Sequence, residues 1–221
     1  MTMINPRHWE HEADVLVIGT GAAGSSAALS AFDKGARVIM LEKRNRYGGT
    51  TEKSGGVFWI PNNAFLRAGG VEDAKVDAIR YMARLAYPTL YDPQDPNFGL
   101  DKNQYELIAT YYDQAAVAVE NLQKMGALDP TPWIAWDGQF MPDYFAHFEE
   151  NKVPRGRALV PKDPKTGKGT VSGVELIRQL RTAVEARAIP VFLRHRAHRL
   201  ITNESGQVVG VEALNEKSEA V

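Results

Sequence analysis

Six residues near the N-terminus, Gly19-Thr20-Gly21-Ala22-Ala23-Gly24, have the types and spacing to hold a pyrophosphate. The first glycine permits a tight turn, the second lets the backbone approach the phosphates, and the third lets a helix sit close on a strand. A helix opening there offers unpaired N–H groups and a positive dipole end to the anion. Glu42, eighteen positions after Gly24, is placed to accept hydrogen bonds from ribose hydroxyls and to repel a 2′-phosphate. That chemistry suits FAD or NAD and not NADP. A glycine turn can also serve only to seat a helix on a sheet, and the preceding strand, the following helix and the acid argue against that bare packing role.

A second loop follows the acid, Arg46-Tyr47-Gly48-Gly49-Thr50-Thr51-Glu52-Lys53-Ser54-Gly55-Gly56. Its glycines expose backbone N–H groups, and Thr50, Thr51 and Ser54 add hydroxyls beside them. An NAD domain normally moves straight on to another strand–helix unit, so this loop favours FAD: it can surround a second phosphate or the edge of the flavin ring. On composition alone it also reads as a solvated loop.

These residues need a frame. Asp14 to Ile18 is a β-branched run ending in glycine and predicts a buried parallel strand. A small-residue helix runs from about Ala22 to Lys34 with Gly35 as its C′ residue, and a second strand runs from Ala36 to Leu41 and ends at Glu42. Strand, glycine turn, helix and strand make a βαβ unit. Val76, Ile79, Met82, Ala83 and Ala86 mark a helix, and Tyr105, Ile108, Tyr112, Ala115, Val119 and Leu122 mark another that ends near Gly126. Tyr87 to Asp101 is a loop, and the proline-rich stretch from Leu128 to Lys168 reads as one long ordered loop. Ser172-Gly173-Val174-Glu175 fits a capping box for a helix with the stripe Val174, Ile177, Leu180 and Val184. Pro190 to Thr202 and Gln207 to Leu214 are predicted strands joined by the turn Asn203-Glu204-Ser205-Gly206.

The chain has 221 residues, with 26 Lys and Arg against 27 Asp and Glu, a formal net charge of −1. That balance gives no reason to expect a nucleic-acid partner. No cysteine is present, which excludes disulfides, thiolate catalysis and cysteine-held metal clusters within the chain. No apolar stretch approaches the about 18 residues of a membrane span, and Met1 to Glu12 has no apolar segment of a signal peptide. A cytoplasmic protein is expected.

Asp14 to Glu42, followed by GGTT at 48–51, SGG at 54–56 and Trp59-Ile60-Pro61-Asn62-Asn63, resembles the fumarate reductase/succinate dehydrogenase flavoprotein family, nearest its 3-ketosteroid dehydrogenase-like branch. Pro142-Asp143-Tyr144 and Gly156-Arg157-Ala158-Leu159 resemble that branch too. The resemblance implies an α/β, Rossmann-like βαβ FAD-binding domain with a helical and loop insertion and a returning β-hairpin. It divides the chain into an FAD-binding domain at 1–70 and 169–221 and an insertion at 71–168. It implies FAD held by Gly19, Gly21, Ala22, Ala23, Gly24, Glu42, Lys43, Gly49, Thr50, Thr51, Ser54, Gly55 and Gly56, with the strand around Ala197 touching the adenine through its backbone. Members that bind FAD covalently carry a histidine where this chain has Gly49, so noncovalent FAD is expected. Family reactions oxidise or reduce a carbon–carbon bond beside a carbonyl or carboxylate of a small-molecule substrate, steroid-like or dicarboxylate, by hydride transfer.

The match to Pro142-Asp143-Tyr144 makes Tyr144 the candidate catalytic hydroxyl, against the plainer reading of a loop tyrosine resting on prolines. Arg155 and Arg157 suit either an anionic substrate or ordinary ion pairs. No metal site is expected: His195 and His198, three apart on a predicted strand, point to opposite faces. His8, His11 and His147 are the remaining histidines. Trp59, Trp133 and Trp136 are either pocket walls or packing under loops. Family members are considerably longer and continue into a substrate cap and a flavin-closing segment, so this chain is expected to be their N-terminal portion. The alternatives are a non-catalytic fragment that pairs with a second chain or with itself, and an oxidoreductase of another flavin or NAD class.

Overall fold

The computed structural model describes residues 9–217, 219 and 220. His8, most of the polar N-terminal stretch and Val221 lie outside the described residues. In chain order the elements are β1 (Val15–Ile18), α1 (Ala22–Asp33), β2 (Val38–Glu42), a 3-10 turn (Thr51–Lys53), β3 (Phe58–Trp59), α2 (Ala64–Ala68), α3 (Lys75–Ala86), α4 (Lys102–Lys124), β4 (Pro130–Pro132), β5 (Ala158–Pro161), α5 (Gly173–Ala186), β6 (Val191–Leu193), β7 (Arg196–Thr202) and β8 (Val208–Leu214). The described residues form two units, one up to residue 53 and again from 177 onward, and one of residues 54–176, so one boundary follows the 3-10 turn and the other falls inside α5. The sequence reading places these boundaries at 70/71 and 168/169.

In the first unit β1, β2 and β6 make a parallel sheet in the order β1-β2-β6. Val15 pairs with Val38 and Ile18 with Leu41, and Met40 pairs with Val191 and Glu42 with Leu193. Helix α1 ends as the glycine predicted: Gly35 has φ +89° and donates its N–H to Phe32 O at 2.8 Å. The core gathers Val17, Leu29, Val38, Met40, Leu180, Val184 and Ile189. The α/β class and the βαβ unit follow the sequence reading, but β1 is less buried than expected. Among the described residues it pairs only with β2, and Ile18 is 56% exposed.

The predicted strand from Pro190 to Thr202 is two strands. Arg194 takes φ +61°, which breaks the extended chain, and its N–H reaches Arg44 O at 2.8 Å while His195 N–H reaches Glu42 O at 2.9 Å. Strand β7 then leaves the parallel sheet and pairs with β8 in an antiparallel hairpin, closed by the predicted turn at Asn203–Gly206. This is the returning hairpin.

In the second unit, α3 and α4 enclose Ile79, Ala83, Phe98, Leu100 and Ile108. Asp101 closes a full capping box with Gln104 at the start of α4. The proline-rich stretch is not one loop. It contains β4 and β5, which pair antiparallel with each other, and β5 also pairs with β3. Ile60, Ala115, Ala116 and Leu159 pack beneath that sheet. Helix α2, capped by Asn63 Oδ1 on the N–H groups of Phe65 and Leu66, was not anticipated. Ser172 Oγ accepts from Glu175 N–H at 3.1 Å, as the capping motif at α5 implied. Two expected core residues face solvent instead: Val76 is 54% exposed and Val174 60%.

Candidate functional site

The glycine turn begins where β1 stops. Gly19 has φ +96° and donates its N–H to Leu41 O at 2.7 Å, which keeps the turn against β2. Gly24 sits one helical turn on, where a Cβ would stand 2.0 Å from Gly19 O. Only glycine lets α1 start so close to the strand. No side chain caps α1 at Gly21. Its first N–H groups therefore keep the polarity that favours an anion, except that Ala22 N–H donates to Thr51 Oγ1 at 3.1 Å.

The second glycine loop lies against the first. Gly48 and Gly49 have φ of +116° and +56°, and a Cβ on Gly49 would be 3.8 Å from Gly21 Cα. Between the loops runs a buried polar chain. Thr20 donates through its N–H (3.1 Å) and its hydroxyl (2.8 Å) to Glu42 Oε2, and Gly48 N–H donates to Thr20 Oγ1 at 3.0 Å. Ser25 Oγ donates to Thr20 O at 3.2 Å and sits 2.5 Å from the Tyr47 hydroxyl. Glu42 Oε1 accepts from Arg44 N–H at 2.9 Å. Burial alone would raise the Glu42 carboxyl, but the Arg44 N–H and the two Thr20 donors outweigh it, and the group is held below its ordinary value.

These parts surround one cavity of about 610 Å³. It is lined by Gly19, Gly21, Ala22, Ala23 and Gly24 from the turn, Glu42 and Lys43 from the end of β2, Gly49, Thr50 and Thr51 from the second loop, and Ala197 from β7. Ser54, Gly55 and Gly56 belong to the second unit, where Gly56 has φ +66° and its Cβ position lies 2.4 Å from Ser172 O. Sequence reasoning missed Thr20, Arg44, Lys53, His195 and Arg196, which also line the cavity. Lys43, Arg44, Lys53 and Arg196 against Glu42 give the wall an excess of positive charge, which suits a pyrophosphate. Backbone N–H groups, a helix N-terminus, hydroxyls and cations are the donors, and the Glu42 carboxylate the acceptor, that a dinucleotide would use, and the residues present fit it.

Tyr144 lies in the second unit and is 86% exposed, and its backbone O accepts from the Tyr81 hydroxyl. Arg155 pairs with Asp137 at 3.3 Å and donates to Phe140 O at 2.8 Å. Arg157 is wholly buried, with its donors given to Asp73, Asp143 and Asn151, so an external anion has no access to it. Trp59 lies 5.2 Å from the Arg157 guanidinium and beside Tyr81 and Tyr111, a packing role. Trp136 is fully exposed. Among the described residues no helix is long and apolar enough to cross a membrane.

Residues 14–221 match the FAD binding domain family. The chain is 34% identical over 153 residues to the 3-oxosteroid 1-dehydrogenase of Mycolicibacterium smegmatis, a stretch covering 68% of this chain and 23% of that protein. It is 45% identical over 155 residues to the 4-oxocyclohex-2-ene-1-carboxylate 5-dehydrogenase of Sinomonas cyclohexanicum, covering 68% of this chain and 22% of that protein. Among solved structures, the 3-ketosteroid-Δ4-(5α)-dehydrogenase of Rhodococcus jostii RHA1, in complex with 4-androstene-3,17-dione, shares the fold at a TM-score of 0.74 and 24% identity. The match covers 98% of this chain and 44% of that one. The chain spans about a quarter of the length of the curated relatives it matches.

Proposed function

The chain belongs to the FAD binding domain family, and from that premise we propose that it is the cofactor-holding portion of an oxidoreductase acting on a carbon–carbon bond beside a carbonyl or carboxylate. The observation that carries the reading is the single cavity in which both glycine loops, the uncapped start of α1 and Glu42 meet. FAD, when bound, accepts or gives up the hydride of such a reaction. The N–H groups at the start of α1 and the cations Lys43, Arg44 and Lys53 hold the pyrophosphate, and Glu42 takes the ribose hydroxyls. The Ala197 backbone meets the adenine, and Gly49 leaves no side chain for a covalent flavin link. Ser54, Gly55 and Gly56 are the candidate donors to the flavin ring.

The substrate class is a small molecule with an oxo group or a carboxylate. The relatives that support it are named for a 3-oxosteroid and for a 4-oxocyclohexene carboxylate. Tyr144 is the candidate hydroxyl that exchanges a proton with that substrate, since its ring is open to a ligand. The test is the visible spectrum of the purified chain before and after adding FAD, with flavin measured in the supernatant after denaturation. A flavin band, released on denaturation, is the expected result. Reduction of that band by a 3-oxosteroid or an oxocyclohexane carboxylate would assign the substrate side. No flavin uptake would sink the claim that this chain holds FAD alone, and flavin that stays with the denatured protein would sink the noncovalent reading.

A further inference from the structure

We infer that Thr20 is a positioning residue for cofactor binding: its hydroxyl fixes the carboxylate of Glu42 and ties the second glycine loop to the first. The inference rests on the FAD reading above and deepens it. Thr20 has no exposed surface. A hydroxyl has one proton to donate and lone pairs to accept with, and here both capacities are used. The proton goes to Glu42 Oε2 at 2.8 Å, and the oxygen accepts from Gly48 N–H at 3.0 Å. The backbone of the same residue donates a second bond to Oε2 at 3.1 Å. One carboxylate oxygen is thereby committed to the protein. Among the described residues Oε1 accepts from Arg44 N–H, and it keeps the acceptor capacity that a ribose hydroxyl would use.

The arrangement has a consequence for pre-organisation. Gly48 is a glycine at φ +116°, a backbone with wide freedom when it is not held. Its N–H bond to Thr20 holds the entry to the loop that carries Gly49, Thr50 and Thr51. Ser25, through Thr20 O and the Tyr47 hydroxyl, holds the residue just before it. Without the Thr20 hydroxyl, the carboxylate gains a free rotor and the Gly48 amide loses its buried acceptor. Binding then has to order both.

The test uses Thr20→Val, which keeps the shape and deletes the hydroxyl, and Thr20→Ser, which restores it. FAD affinity is read by flavin fluorescence, and hydrogen exchange is read at the Gly48 amide in the chain without FAD. Thr20→Val should weaken FAD by about tenfold or more, the loss of a hydrogen bond to a charged group. It should also speed Gly48 exchange by about three- to tenfold, since that amide loses its hydroxyl acceptor, while Thr20→Ser returns both toward wild type. A double-mutant cycle with Glu42→Gln separates the two routes: the Thr20→Val effect on FAD should shrink once the carboxylate is gone, and what remains is the share of the Gly48 loop. Unchanged Gly48 exchange in Thr20→Val overturns the loop coupling, and an undiminished effect in the Glu42→Gln background overturns the route through Glu42. A wild-type chain that takes up no FAD overturns the cofactor reading and the ribose half of this inference with it, and the exchange result still decides the loop coupling by itself.

Discussion

Arg157 meets Asp73 through two parallel hydrogen bonds, Nε to Oδ2 at 2.8 Å and Nη2 to Oδ1 at 2.7 Å, with neither side chain reaching solvent. Its Nη1 donates to Asp143 Oδ2 and Asn151 Oδ1, both at 2.8 Å, and the rings of Trp59 and Tyr81 lie 5.2 and 5.4 Å from the guanidinium carbon. Residues far apart in sequence are thus pinned to one cation. Asp143 stands next to Tyr144, so the same cation holds the turn that presents the candidate hydroxyl. Burial raises the Asp143 carboxyl in spite of the Arg157 hydrogen bond.

Removing the cation should therefore cost far more than losing a surface pair. Arg157→Met leaves Asp73 and Asp143 buried without a counter-charge, and the expected loss is about 3–5 kcal/mol. Arg157→Lys keeps the charge but not the planar fork, so it should recover only part of that. Denaturant unfolding of the three proteins checks the order, and an unchanged midpoint for Arg157→Met would contradict it.

Alkaline stability should report on Tyr81. Burial pushes its hydroxyl from 10.0 up to about 12. In the unfolded chain the phenol ionises near 10, while the folded chain holds its proton to about 12. The contribution is complete below pH 10 and is lost as pH rises toward 12, at most about 3 kcal/mol for two units. Tyr81→Phe should flatten that limb of the stability curve. A limb of equal slope in the variant would assign it to other tyrosines.

The acid limb should report on Glu42, with the opposite sign. Its carboxyl is held below the ordinary 4.5, so the folded chain stays ionised where the unfolded chain takes up a proton. Stability from Glu42 is present above 4.5 and is lost as pH falls through the lower folded value. Asp143 runs the other way, since its raised group takes up a proton first in the folded chain. Glu42→Gln should therefore lose less stability than wild type between pH 7 and about pH 3, measured by urea unfolding at each pH. A steeper acid loss in the variant would reverse the assignment.

How much of this was readable in advance depended on how local each feature is. Gly19, Gly21, Gly24 and Glu42 sit within one strand–helix–strand unit, so their spacing is legible in the sequence, and all four line the cavity. Thr20 is silent in the sequence because an unspecified position between two glycines carries no signal; its bond to Gly48 forms only when the second loop folds against the first. His195 and Arg196 reach the cavity because Arg194 turns at φ +61°, and no glycine marks that break. Strands β4 and β5 hid among prolines, being only three and four residues long with Pro130, Pro132 and Pro161 at their ends. Arg157 read as a loop arginine because nothing local to it announces Asp73, which lies 84 positions away.

Gly24→Ala separates local preference from packing. In an isolated helix the change favours the helical state by about 1 kcal/mol, since alanine has the better propensity. Here the new Cβ would stand 2.0 Å from Gly19 O and 3.4 Å from Val17 Cγ1, so α1 must move off the strand or the turn must open. Overpacking of this kind costs about 1–3 kcal/mol, enough to cancel the propensity gain and more. Because the same shift moves the N–H groups at the start of α1, FAD affinity should fall by about tenfold or more, the loss of one well-aimed charged hydrogen bond. Gly35→Ala is the control: its φ is +89° and a Cβ there meets open space, so it pays backbone strain but leaves the cavity untouched. Both variants should lose stability in a thermal melt, and only Gly24→Ala should lose FAD. Wild-type FAD affinity in Gly24→Ala would mean that the close seat of α1 on β1 does not hold the pyrophosphate site in place.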